Sequence, residues 1–157
     1  MASHDFDFIF GDWDVRNRRL VSILSGSDEW YEFASTSVAR PLWGGLGNHD
    51  EIVAEETPVG PIRGATVRLR DPGSGLWRLY WASAQAGELG EPVVGGFSDG
   101  VGTFYGHEVY AGKGVFVRYI WDAIEPDACR WQQAFSPDGG ATWETNWIME
   151  FVRRTPR

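Results

Sequence analysis

Short runs of aromatic and β-branched residues, separated by Gly, Pro and Asp, recur along the whole chain. No segment of a dozen or more residues repeats its apolar positions at the period of an amphipathic helix. Runs of this length and spacing are typical of an all-β barrel or sandwich. We therefore predict strands at 12–20, 28–39, 48–56, 63–71, 75–83, 91–98, 101–111, 114–122, 127–136 and 142–153.

These strands predict a single all-β domain over residues 1–157, built as one closed antiparallel barrel of about ten strands. A short helical turn at 5–10 is expected to precede the first strand and to plug one end of the barrel. Proline and glycine combine in two expected hairpin turns, Asp71–Gly75 and Ser136–Gly140. The looser Gly-rich stretch 40–47 is expected to form a flap over a barrel mouth.

The bulk properties of the chain exclude several classes of partner. A formal net charge of −8 argues against nucleic acid, because binding to phosphates requires clustered Lys and Arg. No apolar run approaches the roughly 18 residues of a membrane-spanning helix, and the N-terminus lacks the pattern of a secretion signal. We therefore expect a cytoplasmic protein with no membrane partner. The lone Cys129 and three scattered His residues predict no internal disulfide, no metal site and no cofactor.

Aromatic residues make up 15% of the chain and include nine Trp, which indicates either a dense core or a pocket for a planar or apolar ligand. Because residues two apart share a face of a strand, alternation assigns the side chains that face inward. The apolar residues predicted to face inward are Val67, Leu69, Trp77, Leu79, Trp81, Val109, Val115, Val117, Trp121, Trp131, Phe135, Trp143, Trp147, Met149 and Phe151. The polar residues predicted among them are Tyr105, His107, Tyr119, Gln133 and Thr145. Such groups are retained inside a barrel only when they pair with one another, hold water or contact a ligand.

Several charged residues are predicted to lie on the surface of the barrel. The face opposite the predicted inward residues of the hairpin at 63–83 carries Arg68, Arg70 and Arg78. We interpret these arginines as solvated, with contact to an acidic partner or to a second copy in a homodimer as the alternative. His49 lies beside Asp50 and Glu51, but adjacent residues of a strand point to opposite faces. This favours a solvated strand end over a metal or acid–base site.

The segment Gly11-Asp12-Trp13 opens the first predicted strand after a short apolar lead-in. It resembles the Gly-x-Trp start of the calycin superfamily, which includes lipocalins and fatty-acid-binding proteins. With three further motifs, at Gly95–Gly100, Val117–Trp121 and Trp131–Trp147, it resembles a family of small bacterial proteins of unknown function with a predicted lipocalin-like barrel. The resemblance covers nearly the whole chain and implies a calycin-like barrel. No catalytic residue carries over from it.

The same resemblance implies that Trp13 closes the barrel floor, with Arg153 or another basic side chain over its ring. The haem-binding nitrobindins share the general architecture, but their longer Gly-rich opening motif is absent after Trp13. Haem would also need a proximal ligand, for which His107 is the one His predicted to face inward. We therefore predict no haem.

The aromatic interior leads to a first functional hypothesis, the binding of a small, largely apolar or aromatic molecule inside the barrel. The residues predicted to bind it are Trp81, Tyr105, Trp121, Trp131, Gln133, Thr145 and Trp147. The alternative is a cofactor-free isomerase, cyclase or lyase acting on a biosynthetic intermediate, with His107 as acid–base and Tyr119 orienting it or binding an oxyanion. The competing interpretation of His107 is a satisfied interior His, or an outward one if the register differs by one residue. A third hypothesis is a structural or oligomeric module with a filled core.

Overall fold

The computed structural model describes residues 3–155, and their regular structure is almost entirely β. The strands are β1 (Gly11–Leu20), β2 (Trp30–Leu42), β3 (Gly47–Ala54), β4 (Ile62–Arg70), β5 (Trp77–Ser83), β6 (Glu88–Leu89), β7 (Val93–Ser98), β8 (Val101–Tyr110), β9 (Lys113–Glu125), β10 (Ala128–Ser136) and β11 (Glu144–Arg153). Two single 3₁₀ turns, at Asp7–Ile9 and Trp43–Gly45, are the only helical segments of the described residues. All ten predicted strands are present, and the two-residue β6 was not predicted.

The strands form one antiparallel sheet that closes on itself. Ten strands pair with their neighbours around a ring in chain order, and β5 pairs directly with β7 because β6 is not part of the ring. β11 pairs with β1, and the pairing of β4 with β5 closes the ring. The short β6 pairs with the end of β5 outside this ring. The predicted single closed barrel is therefore confirmed, and the architecture is consistent with a calycin-like fold. The domain limits predicted at 1–157 include terminal residues that lie outside the described range.

The N-terminal segment closes one end of the barrel, which we call the floor. Phe6 and Ile9 are buried in the core. The Phe6 ring packs edge-on against Trp77 and Phe97, with ring centroids 4.9 Å apart in both pairs. Trp77 Nε1 donates a hydrogen bond of 2.9 Å to Asp5 Oδ2. The helical turn predicted for this segment is present, and its side chains fill the end of the barrel.

The Gly-x-Trp segment at the start of β1 is held by Arg153. Trp13 is fully buried, its Nε1 donates to the Ile9 carbonyl at 2.8 Å, and the Arg153 guanidinium lies 4.2 Å from its ring centroid. Gly11 has φ +119°, and a Cβ there would lie 2.6 Å from Arg153 Nη1. The predicted contact of Arg153 with Trp13 is confirmed. Glycine is favoured two residues before the Trp because L side chains rarely adopt this positive φ, and the guanidinium also occupies the space that a Cβ would fill.

The stretch 40–47 lies at the floor end of the barrel. β2 continues to Leu42, and β3 begins at Gly47, its partner in the ladder. The same end of β2 pairs Ala39 with Gly11 at the start of β1. The expected flap over the mouth is therefore wrong, because the strands on both sides of it run toward the end that the N-terminal segment closes. Within residues 3–155 no helix is long and apolar enough to cross a membrane.

The predicted turn between β10 and β11 is built around one carboxylate. Asp138 accepts hydrogen bonds from the Thr142 hydroxyl at 2.6 Å, from the Thr142 backbone N–H at 2.8 Å and from the Ser136 hydroxyl at 2.8 Å. The two bonds from Thr142, followed by that from Ser136, lower the pKa of Asp138 from 3.8 to about 2. The ionised carboxylate therefore stabilises this turn.

We expect this turn to weaken in acid. A carboxylate whose pKa is lower in the folded than in the unfolded chain contributes stability that is complete above the unfolded value, here 3.8, and is lost as the pH falls through the folded value, about 2. Urea unfolding of the wild type and of Asp138→Asn at pH 5 and pH 2.5 measures this loss. The variant should be less pH-dependent than the wild type, whereas Asp28→Asn in the exposed β1–β2 loop should match the wild type. An Asp138→Asn protein with wild-type pH dependence would contradict the assignment.

Candidate ligand-binding site

A cavity lies inside the barrel above the floor. Measured as the space open to the centre of a water molecule, its volume is about 50 Å³. One water needs about 10–15 Å³ on this measure, so the cavity has room for several waters or for one small organic molecule. The residues that line it are Asp50, Ile52, Thr66, Arg68, Leu79, Trp81, Tyr119, Trp121, Trp131, Gln133, Trp147, Met149 and Phe151.

The four tryptophans predicted as walls all line this cavity. Trp147 meets Trp131 edge-on with ring centroids 5.5 Å apart, and it meets Trp81 edge-on at 6.4 Å. Trp121 lies deeper, with its ring 5.3 Å from that of Phe151. These are arrangements that the charge distribution of aromatic rings favours. Gln133 and Tyr119 line the same space, as their predicted inward placement requires, and the binding or catalytic roles of all these residues stay predictions.

Gly64 makes room for one of these walls. A Cβ at this position of β4 would overlap the six-membered ring of Trp81. Trp81 is paired in the ladder with Thr66, two residues along the same strand. The indole therefore keeps its position on the wall only because the residue beneath it has no side chain.

A buried ion pair lies on the side of the cavity formed by β3 and β4. Arg68 Nη2 donates to Asp50 Oδ2 at 2.5 Å, and both side chains are only 3% exposed. Arg68 Nη1 donates to Asn48 Oδ1 at 2.9 Å, and the other Asp50 oxygen accepts the Thr66 backbone N–H at 3.2 Å. The guanidinium lies 5.2 Å from the Phe6 ring centroid. This charged cluster is therefore held between the aromatic floor and the cavity.

The solvated arginine face expected on β4 is wrong at Arg68. Arg68 is paired with Leu79, and Arg70 with Trp77, so these arginines share the inner face with residues that were correctly predicted to point inward. Val67 consequently points outward, against the prediction. Leu69 does so as well, and both are only half-buried. The prediction assigned the apolar residues of β4 to the inner face, and it was wrong because this part of the interior is polar.

The expected solvated strand end at His49–Glu51 is corrected in the same way. Asp50 is buried, and its neighbours His49 and Glu51 are exposed on the outer face. The signal for the pair is the complementary charge of alternate residues in adjacent strands, and it can be read only once the register of β3 and β4 is known. In that register Asn48 lies opposite Arg68, and Asp50 lies opposite Thr66. A carboxylate and a guanidinium that meet on one inner face can be buried together.

The pKa of the Tyr119 phenol is raised by its surroundings. Burial raises the pKa of its phenol far above the ordinary value, the negative charges of Glu108 and Asp50 raise it further, and Arg68 opposes them. Tyr119 therefore remains protonated and can donate a hydrogen bond. Glu108 shares the inner face of β8 with Phe104 but lies toward the mouth and is exposed over part of its surface. Partial desolvation still raises the pKa of Glu108, opposed by the positive charge of Arg19.

A bulge in β11 separates Thr145 from the cavity. Gln133 is paired with Trp147 while Ala134 is paired with Thr145, so Asn146 is an extra residue in β11. Asn146 is fully buried, and its Oδ1 accepts a hydrogen bond of 2.8 Å from Gln133 Nε2. The extra residue reverses the alternation, so the predicted inward placement of Thr145 is wrong, and so is that of Trp143.

The predicted inward placement of Tyr105 and His107 is also wrong. In the β8–β9 ladder, Phe104 is paired with Tyr119 and faces the interior, whereas His107 is paired with the exposed Phe116. The predicted inward Val109 is 73% exposed. Gly102 and Gly106 occupy inner positions on β8, so the inner face of this strand has too few apolar side chains to be recognised by alternation. His107 therefore cannot reach a ligand in the cavity or ligate a haem there.

Tyr105, His107 and Trp143, which were predicted to face inward, belong to an aromatic cluster on the outer surface of the barrel. Tyr105 lies 6.0 Å from Trp143 between ring centroids, and the Arg118 guanidinium lies 4.6 Å from the Trp143 ring. His107 packs against Phe116 with ring centroids 5.1 Å apart. This cluster is separated from the cavity by the sheet itself.

The cavity combines apolar walls, a paired carboxylate and several hydrogen-bond donors. Among the described residues that line it, Asp50 is the one carboxylate, and Arg68 holds it as an ion pair. Its two oxygens accept hydrogen bonds from the Arg68 guanidinium and from the Thr66 backbone N–H. The arrangement is therefore better suited to binding than to proton transfer. Comparison of the chain with known protein families and with curated proteins found no match.

Proposed function

We propose that this protein binds a small, largely apolar or aromatic molecule inside the barrel. The observation that carries the proposal is the cavity itself, with Trp81, Trp121, Trp131 and Trp147 around it. Ligand sites are typically apolar hollows with a few polar groups that orient the occupant. Gln133, Tyr119 and the ion pair supply such groups here. The kinship suggested by the Gly-x-Trp start and the later motifs, with small bacterial proteins of calycin-like fold, is part of the same proposal.

The alternative of an isomerase, cyclase or lyase gains no support from the geometry. It required His107 to act as acid–base within the interior, and that side chain lies on the outer surface. Tyr119 is held protonated by burial, which suits hydrogen bonding to a ligand rather than proton abstraction. A filled core is also disfavoured, because the interior holds an open space beside charged groups.

Reducing the cavity tests the proposal. Leu79 is buried and lines the cavity, so Leu79→Phe should occupy part of the space and weaken the binding of ethylbenzene and indole at least about tenfold. Isothermal titration calorimetry measures both affinities. Leu89→Phe is the matched control, because Leu89 is 59% exposed on β6 outside the ring. If the wild type binds neither compound, or if Leu79→Phe binds them as tightly as the wild type, the proposal is overturned.

A further inference from the structure

Two buried hydrogen-bond donors on the cavity wall have no partner among residues 3–155. Arg68 Nε and Trp121 Nε1 belong to a set of six buried side-chain polar atoms that form no hydrogen bond within the described part of the chain. Of the residues that carry these six atoms, only Arg68 and Trp121 line the cavity. As whole residues, Arg68 and Trp121 are each 2% exposed. A buried donor without a partner costs free energy, so a molecule that enters the cavity is stabilised if it supplies an acceptor to these two donors.

The two donors belong to side chains that touch each other. The Arg68 guanidinium carbon lies 5.7 Å from the Trp121 ring centroid, and both residues lie toward the floor of the cavity. Indole and guanidinium nitrogens carry hydrogens and have no acceptor capacity. The group that complements them is therefore a hydrogen-bond acceptor.

The charge of the ion pair indicates whether the acceptor belongs to a charged or to an uncharged ligand. Asp50 already neutralises Arg68, at 2.5 Å and out of contact with solvent. An anionic ligand would bring a second negative charge beside Asp50 and would lose its hydration without gaining an unpaired cation. The neighbouring walls are aromatic and apolar, so an uncharged molecule with one acceptor oxygen fits both parts of the cavity.

We propose that the ligand is an uncharged aromatic or alicyclic compound with a carbonyl-type acceptor oxygen, and that Arg68 and Trp121 bind this oxygen at the deep end of the cavity. The inference rests on the proposed binding function and makes it more specific. The oxygen accepts hydrogen bonds from Arg68 Nε and Trp121 Nε1, while the rings of Trp81, Trp131 and Trp147 contact the apolar part of the molecule. Water bound to the same two donors is the competing occupant.

A matched set of probes separates these outcomes. Ethylbenzene has the carbon skeleton of acetophenone without the acceptor oxygen, and benzoate adds a charge. We expect the wild type to bind acetophenone about tenfold more tightly than ethylbenzene and more tightly than benzoate. Trp121→Phe, which removes one donor and keeps a ring, should abolish most of this preference, measured as the ratio of the acetophenone and ethylbenzene affinities of the same protein. Trp147→Phe is the matched control, since Trp147 Nε1 already donates a hydrogen bond of 2.9 Å to Asn17 Oδ1, and it should keep the preference.

A second measurement does not depend on the stability of the variants. In wild-type protein with ¹⁵N-labelled tryptophan, the indole N–H resonance of Trp121 should shift on addition of acetophenone and much less on addition of ethylbenzene. Equal affinity for acetophenone and ethylbenzene, tighter binding of benzoate, or an unchanged preference in Trp121→Phe would each overturn the inference while leaving apolar binding intact. Failure of the wild type to bind any of the three compounds would overturn the proposed function as well.

Discussion

Replacing Arg68 with methionine is expected to lower the free energy of unfolding by about 3–5 kcal/mol. The Asp50 side chain is 3% exposed, and its Oδ2 lies 2.5 Å from Arg68 Nη2. The substitution removes this guanidinium and leaves the carboxylate buried without a positive charge beside it. It also removes the donor to Asn48. An uncompensated carboxylate in this position must lose its hydration or take up a proton, and both outcomes destabilise the folded state.

The effect is measured by urea unfolding at neutral pH, with two comparisons. Arg63→Met alters another arginine of β4, whose pair with Glu55 is about half exposed, and it should cost less than about 1 kcal/mol. The double variant Arg68→Met/Asp50→Leu removes both charges and should recover most of the loss, because apolar replacement of a complete buried pair is tolerated far better than removal of one partner. If Arg68→Met unfolds like Arg63→Met, the ion pair has no structural role.

Replacing Trp13 with alanine is expected to cost at least about 3–5 kcal/mol, the range for loss of a large aromatic side chain from a core. The variant leaves a hole at the floor, where Trp13 contacts Phe151 edge-on with ring centroids 6.0 Å apart. It also removes the donor to the Ile9 carbonyl and the ring beneath Arg153. The variant therefore loses a ring contact, a hydrogen bond and a cation–π contact at the floor at the same time.

Trp43→Ala is the matched control, because Trp43 is 69% exposed in the turn between β2 and β3. This variant should change the stability by less than about 0.5 kcal/mol. Differential scanning calorimetry of the three proteins measures the difference as a shift in Tm. Equal shifts for the two variants would show that Trp13 does not hold the floor in place.

Strand positions were predictable from this sequence, and the reason is visible in β9. Val115, Val117, Tyr119 and Trp121 alternate with residues that face outward, so period-two patterning located both the strand and its inner face. The turns were equally readable because proline, glycine and aspartate have specific conformational roles at 71–75 and at 136–140.

The polar side of the cavity was not predictable in the same way. Alternation identifies the inner face of a strand only when the interior is apolar, and Asp50 and Arg68 are buried because each neutralises the other across two strands. Such a pair is visible only once the register of β3 and β4 is known. At Asn146 a single extra residue shifts the alternation, and nothing in the residue types around it indicates a bulge.

The ladder between β1 and β11 joins opposite ends of the described chain, with Trp13 paired to Arg153. During synthesis the ring cannot close until β11 has left the ribosome, and until then the nascent sheet exposes unpaired backbone at its edges. Contacts of such long sequence separation also slow folding into the millisecond-to-second range. The edge of β1 that pairs with β11 therefore stays open to pairing with other chains until the last strand of the barrel has been synthesised.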